Sequence, residues 1–258
     1  MVELRLFDSG IMLGRAKMDK GGSFDTVKDL REVMGRCGIE RALVYSALAK
    51  DSWPAKGNQA LLEMIEGEEG LYPAWVGLPG HTGEFPDGET LKKQAKANRI
   101  CALRLFPYHH TYPTSDFCCG ELFHAMNEMH MPVFLDYGVE HWSEPMPWDE
   151  IYRLCRTWPD IPFVLVRVGC GSNRPLFPLL DQCPNLHFEI SYFDANRGLE
   201  SVTKRFGAGR MLFGTGMPIY NPACPIAMLY YADLSDQDKE KIAGENLQKL
   251  IGGICYDV

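Results

Sequence analysis

The 258-residue sequence contains no unbroken apolar run long enough to cross a bilayer, which removes helical membrane proteins from consideration. It has no run of Lys and Arg either. With 34 acidic against 26 basic side chains the formal charge is -8, so a phosphate backbone or an anionic lipid surface meets net repulsion. Neither nucleic acid nor membrane is an expected partner. The glycine-rich phosphate loops of nucleotide-binding folds are missing, since no GxGxxG follows the first apolar run and no P-loop is present. The nine cysteines make no CxxC and no Cys/His set at zinc-finger spacing. Cys37, Cys101, Cys155 and Cys183 fall in apolar segments, where a free thiol behaves as a small hydrophobe. Without a signal-like leading segment, this pattern leads to the expectation of a reducing, cytoplasmic setting.

What the sequence does have is alternation. Short β-rich apolar runs at 3–8, 41–46, 72–78, 101–106, 132–136, 163–168, 186–191 and 211–215 are separated by amphipathic stretches. Runs of this kind, apolar on both faces, mark parallel strands buried on both sides. The stretch 23–36 carries Phe24, Val27, Leu30, Val33 and Met34 on one helical stripe, with Ser23 as the expected cap. Helices are also expected at 116–130, at 149–157, and from a Ser235 cap through Ile251. Eight strand–helix units predict an α/β fold, a (β/α)₈ TIM barrel forming one domain over residues 1–258. An open doubly wound sheet is the alternative. The long irregular stretches at 79–88, 107–115, 138–148 and 217–224 each follow a strand, which places them at the barrel mouth where this fold builds its sites.

Four segments resemble the amidohydrolase superfamily, of the amidohydrolase-2 type. They are PDIPFVLVRVG (159–169), PNLHFEIS (184–191), RMLFGTGMP (210–218) and IAGENL (242–247). The resemblance implies a metal held by a first-strand HxH pair, histidines on the fifth and sixth strands, and an aspartate on the eighth. Those positions here carry Gly10, Met12, Asp136, Arg167 and Gly216. Glycine offers no ligand, methionine only a soft thioether, and arginine a permanent cation without a lone pair. No metal and no other cofactor is therefore expected.

Asp136 and Arg167 end neighbouring strands and are the first catalytic candidates. The carboxyl would serve as acid or base and the guanidinium would bind an oxyanion or carboxylate. A purely structural ion pair is the competing reading. Asp8, at the end of the first strand, is a further candidate base. Arg104, Glu189, His109, Tyr108, Tyr137 and Trp142 are the expected substrate-binding residues. Arginines focused in an acidic protein point to a small anionic partner. The expected function is a metal-independent hydrolase or lactone isomerase acting on a small carboxylated compound of sugar-acid or lactone type. The alternative is a non-catalytic relative that binds a metabolite or protein partner. A homodimer is an open expectation from the general prevalence of two-fold assemblies.

Overall fold

Asp8, Ser9 and Gly10 read as the end of a strand, yet the chain stays extended through them, and β1 runs Leu6–Leu13 instead of stopping at residue 8. A register shift between Asp8 and Ile11 absorbs the irregularity, as a β-bulge does when it keeps a polar, glycine-bearing segment in the ladder. The computed structural model describes residues 3–17, 22–138 and 146–258. Seven strands follow: β2 (Ile39–Ser46), β3 (Leu71–Gly77), β4 (Ala102–Leu105), β5 (Val133–Leu135), β6 (Phe163–Leu165), β7 (Leu186–Glu189) and β8 (Met211–Leu212). They pair in parallel in chain order. The Ser9 N–H reaches the Phe213 carbonyl at 2.9 Å and the Met12 N–H reaches Met217 O at 3.0 Å, so the last strand meets the first. This is a (β/α)₈ barrel in a single domain.

Two apolar layers follow from the strand period. Phe7, Leu43, Val76, Phe134, Val164 and Leu212 fill the barrel interior. Ile11, Val44, Leu103, Leu105, Val133 and Leu165 belong to the core between strands and helices.

The first helix begins later than its apolar stripe predicts, at Val27, and runs to Cys37. Thr26 is its cap. The Thr26 hydroxyl accepts from Asp29 N at 3.2 Å, and the Asp29 carboxylate accepts from Thr26 N at 2.9 Å. Ser23 has no acidic partner three residues on, so the reciprocal box forms at Thr26. The Ser23 hydroxyl accepts from Ala16 N instead. Near the C-terminus, Ser235 caps a helix as expected, and a π-turn at Lys241–Glu245 interrupts it. The Ile242 carbonyl accepts from Phe213 N at 2.9 Å, which ties the turn to the end of β8.

The family-like segments largely hold the closed end together. The Asn185 amide donates to the carbonyls of Cys155, Trp158 and Ile161. Asn246 donates to Ala208 and Met211, and the Arg210 guanidinium caps carbonyls that include Cys183 and Leu186.

Asn58, on the helix Pro54–Met64, completes a ladder that the strands leave unfinished. Pairing of β2 with β3 stops at Pro73, and beyond it Asn58 accepts from Val76 N and donates to Val76 O, both at 2.9 Å. Asn58→Leu would bury both backbone groups without partners. We expect a loss of about 2–4 kcal/mol, read by chemical denaturation at unchanged secondary structure.

Candidate functional site

Strands β4, β5 and β6 deliver one charged residue each to the barrel mouth. Arg104 lies within β4, Asp136 just past β5 and Arg167 two residues past β6. All three are buried, at 5%, 1% and 4% exposure. Asp136 Oδ2 accepts from Arg104 Nη2 at 2.9 Å and from Arg167 Nη2 at 3.1 Å, and Oδ1 accepts from Gly138 N at 3.0 Å. The Arg104 guanidinium also lies 4.4 Å from the Tyr45 ring centroid, a cation–π contact that offsets part of its desolvation. Arg167 sits in the left-handed region at φ 59°, and its N–H donates to Glu189 Oε1 at 3.1 Å. Glu189 faces inward and is buried, and its Oε1 also accepts from the Ser191 hydroxyl.

Glycines make room for this set. A Cβ on Gly10 would lie 2.3 Å from Arg104 Nη1. One on Gly214 would meet Glu189 Oε2 at 2.2 Å, and one on Gly216 would meet the Tyr220 ring at 2.6 Å. Those distances are shorter than any tolerated contact. The side chains missing at 10, 214 and 216 are thus replaced in space by Arg104, Glu189 and Tyr220.

The same geometry bears on the divalent metal that the fold family implies. A side chain at position 10 would collide with Arg104, Met12 is packed in the interior core, Arg167 brings positive charge, and Gly216 supplies nothing. Asp136 already spends both oxygens. Among the described residues no group of three or more His, Cys, Asp or Glu is arranged to hold a metal ion. The residues present do not fit a divalent cation at that position.

The other expected site residues are not gathered here. Asp8 is buried, but its oxygens accept from Gly10 N at 3.0 Å, from Thr215 N at 3.1 Å and from the Thr215 hydroxyl. These bonds close the β1–β8 seam. Tyr137 is buried with its hydroxyl 3.3 Å from that of Thr114, while Tyr108 is exposed and packs on it at 5.2 Å. His109 stands at the rim, half exposed, with Nε2 3.8 Å from Asp51 Oδ1. Trp142 lies outside the described residues. Sequence reasoning missed Ser9 and Tyr45. Strand parity was the available signal, because Ser9 shares a face with Phe7, and Tyr45 with Leu43.

Burial raises every carboxyl here, and the neighbours decide the outcome. At Asp136 the Arg167 and Arg104 guanidiniums outweigh burial and hold the carboxyl down at about 2. At Glu189 burial prevails over Ser191 and Arg104, and the carboxyl is raised. At Asp8 burial outweighs the Thr215 and Gly10 hydrogen bonds and lifts it to about 6.

Two consequences can be measured. Asp136→Asn leaves two buried guanidiniums without their anion, and we expect a loss of about 3–5 kcal/mol of stability at neutral pH. The native Asp136 contribution is present above its unfolded pKa and is lost as pH falls toward 2. Asp8 has the opposite sign. It binds a proton more tightly when folded, so its share of stability is complete below the ordinary aspartate value of 3.8 and declines as pH rises through about 6. Denaturation titrations between those values should show a shallower pH slope for Asp8→Asn than for the native chain.

No curated protein is significantly similar in sequence. Among solved structures the chain is similar to the 5-carboxyvanillate decarboxylase of Sphingomonas paucimobilis, with a TM-score of 0.75 at 11% identity over 96% of this chain and 99% of that one. It is similar to the 2,6-dihydroxybenzoate decarboxylase of Rhizobium, with a TM-score of 0.71 at 13% identity over 96% and 99%. A dihydroxybenzoic acid decarboxylase from Polaromonas, solved with bound manganese, gives 0.70 at 14% over 96% and 97%. Identities this low establish the fold alone. The sequence itself matches the amidohydrolase family model (Amidohydro_2) over residues 40–252, from β2 to the C-terminal helix, and the chain belongs to the amidohydrolase family.

Proposed function

We propose that the protein is a metal-independent member of this enzyme family that acts, as a hydrolase or lactone isomerase, on a small carboxylated compound of sugar-acid or lactone type. One observation carries the reading. The Arg104 guanidinium occupies the space a ligand side chain at position 10 would take, and Arg167 joins it on the same Asp136 oxygen. Two guanidiniums converging on one buried, ionised carboxylate place charge-assisted donors at the barrel mouth. A ligand carboxylate suits donors of this kind. The named substrates of the structural neighbours, 5-carboxyvanillate and 2,6-dihydroxybenzoate, are also carboxylated.

In this reading Arg104 and Arg167 bind the carboxylate and stabilise negative charge as it develops. Asp136 fixes their positions. A second reading, a binder without turnover, draws support from the saturation of Asp136, which has no free oxygen and no proton to give near neutral pH.

Thermal-shift measurements with glycolate, benzoate and glucarate test the proposal, because a ligand that prefers the folded state raises the melting temperature. The expected result is a rise unaffected by chelator and lost in Arg104→Met. About one equivalent of co-purifying manganese or zinc, with binding abolished by chelator, would overturn it. Turnover of a ligand so identified separates the enzyme from the binder.

A further inference from the structure

The helix Ala223–Tyr231, which follows β8, is apolar on every side. Its nine residues, ACPIAMLYY, carry no charge, and no charged residue stands between Arg210 and Asp233. Pro225 and Leu229 are buried, and Leu229 joins the core between strands and helices. The opposite face is open. Ala223, Cys224, Ala227 and Tyr231 are exposed, Tyr231 at 80%. A barrel helix in water turns a polar face outward, whereas one that is apolar all round is normally covered. Along this face runs a groove of about 680 Å³, lined by Cys37 at the end of the first helix and by Ala223, Ile226, Ala227, Tyr230 and Tyr231. Among the described residues, Arg36 is the one charged side chain in its lining.

We infer that this face joins two copies of the chain about a two-fold axis beside Ala227. Shape selects a second copy as the cover. Ala223, Ala227 and Tyr231 stand at i, i+4 and i+8 and form one exposed row, small at its start and large at its end. Such a row, reversed, is its own complement. Tyr231 of each copy lies over Ala223 of the other, and the two Ala227 side chains meet on the axis. The alanines also let the helices approach closely, at about 8 Å between axes. Charge agrees with shape. The chain carries a net charge of -8, so two copies repel wherever acidic surfaces face each other, and the uncharged helix is where that repulsion is weakest. A basic partner would be drawn to the acidic remainder instead. Size sets the strength. A nine-residue helix, about 14 Å long and about 10 Å wide, supplies only part of the roughly 800 Å² that each partner gives to a standard interface. The dimer is therefore weak and forms by mass action.

Sedimentation velocity of the intact protein from about 1 μM to about 1 mM tests the assignment. The expected result is a rise from the mass of one chain toward that of two. Tyr231→Ala should weaken dimerisation by about tenfold or more, as loss of an aromatic anchor does. Ala227→Arg sets two guanidiniums against each other on the axis and should weaken it at least as much. Both positions are exposed, so an unchanged circular dichroism spectrum is the control. Cross-linking gives an independent reading. In Cys224→Ser/Ala227→Cys the new thiol meets its own copy on the axis, and copper(II) phenanthroline should oxidise the two thiols to one reducible disulfide between chains. Cys224→Ser alone should not cross-link. A native protein that stays monomeric over the whole range would mean that the face takes another occupant, and would overturn the inference. A dimer that neither Tyr231→Ala nor Ala227→Arg weakens, or one in which position 227 does not cross-link, is built on a different face and overturns it equally.

Discussion

Two guanidiniums brought to one buried carboxylate oxygen repel each other, and each has given up most of its hydration. The ionised Asp136 between them offsets that repulsion, and the ends of β4, β5 and β6 are tied together through it. Asp136 N donates to Leu105 O at 2.9 Å and Val166 N donates to Leu135 O at 3.1 Å, so the backbone ladders carry the three strands as far as the charges. Beyond that point the side chains continue the cross-link: β4 to β5 through Arg104, and β5 to β6 through Arg167. Tyr45 under Arg104 supplies a polarisable surface in place of water. A cluster of this kind gives little net stability relative to an apolar core, because desolvation consumes most of the attraction. What it gives is position. Each guanidinium has one orientation that satisfies Asp136, and its remaining N–H groups are aimed by that bond.

The glycines belong to the same construction. A charged side chain as long as arginine or glutamate reaches the barrel axis only if the opposite wall yields space, and β1 and β8 yield it at positions 10, 214 and 216. The absence of a side chain at position 10 leaves the volume that Arg104 fills.

Much of this could be read from the residues alone, and the failures have physical causes. Continuous apolar runs located all eight strands because parallel strands buried on both faces leave little ambiguity. Their ends were harder. Asp8-Ser9-Gly10 looks like a terminus until a bulge carries it through, and Phe213 and Thr215 hydrogen-bond beyond the formal end of β8. The pairing of Asp136 with Arg104 was legible because the two follow neighbouring strands and parity turns them inward with Phe134 and Ala102, whereas Arg167 shares parity with Leu165 of the outer layer and comes inward through its left-handed backbone. The orientation of Asp8 was not legible, since the bulge breaks the alternation that would have placed it. Parity with Phe7 could have placed Ser9 inward, but nothing in the sequence marks its hydroxyl as unpaired. Its significance lies in being buried without a partner, which only three dimensions reveal.

On the proposed metal-free reading, guanidiniums also narrow the chemistry such a site can support. A divalent cation sharpens a bound water into a nucleophile by lowering its pKa, whereas a guanidinium cannot accept a lone pair and leaves water as it is. It can still hold a carboxylate and stabilise an oxyanion through charge-assisted hydrogen bonds. Reactions whose barrier lies mainly in charge development and proton movement suit that capacity, and lactone opening or isomerisation is of this kind. The proton then needs a carrier. Asp136 is held ionised by the same bonds that position the arginines, so positioning and proton transfer cannot both fall to it. Glu189 has one oxygen outside the hydrogen-bond network and a carboxyl that burial favours in its neutral form. The two carboxylates differ because their surroundings differ: the one between two cations is held down, and burial raises the one beside a backbone N–H and a serine.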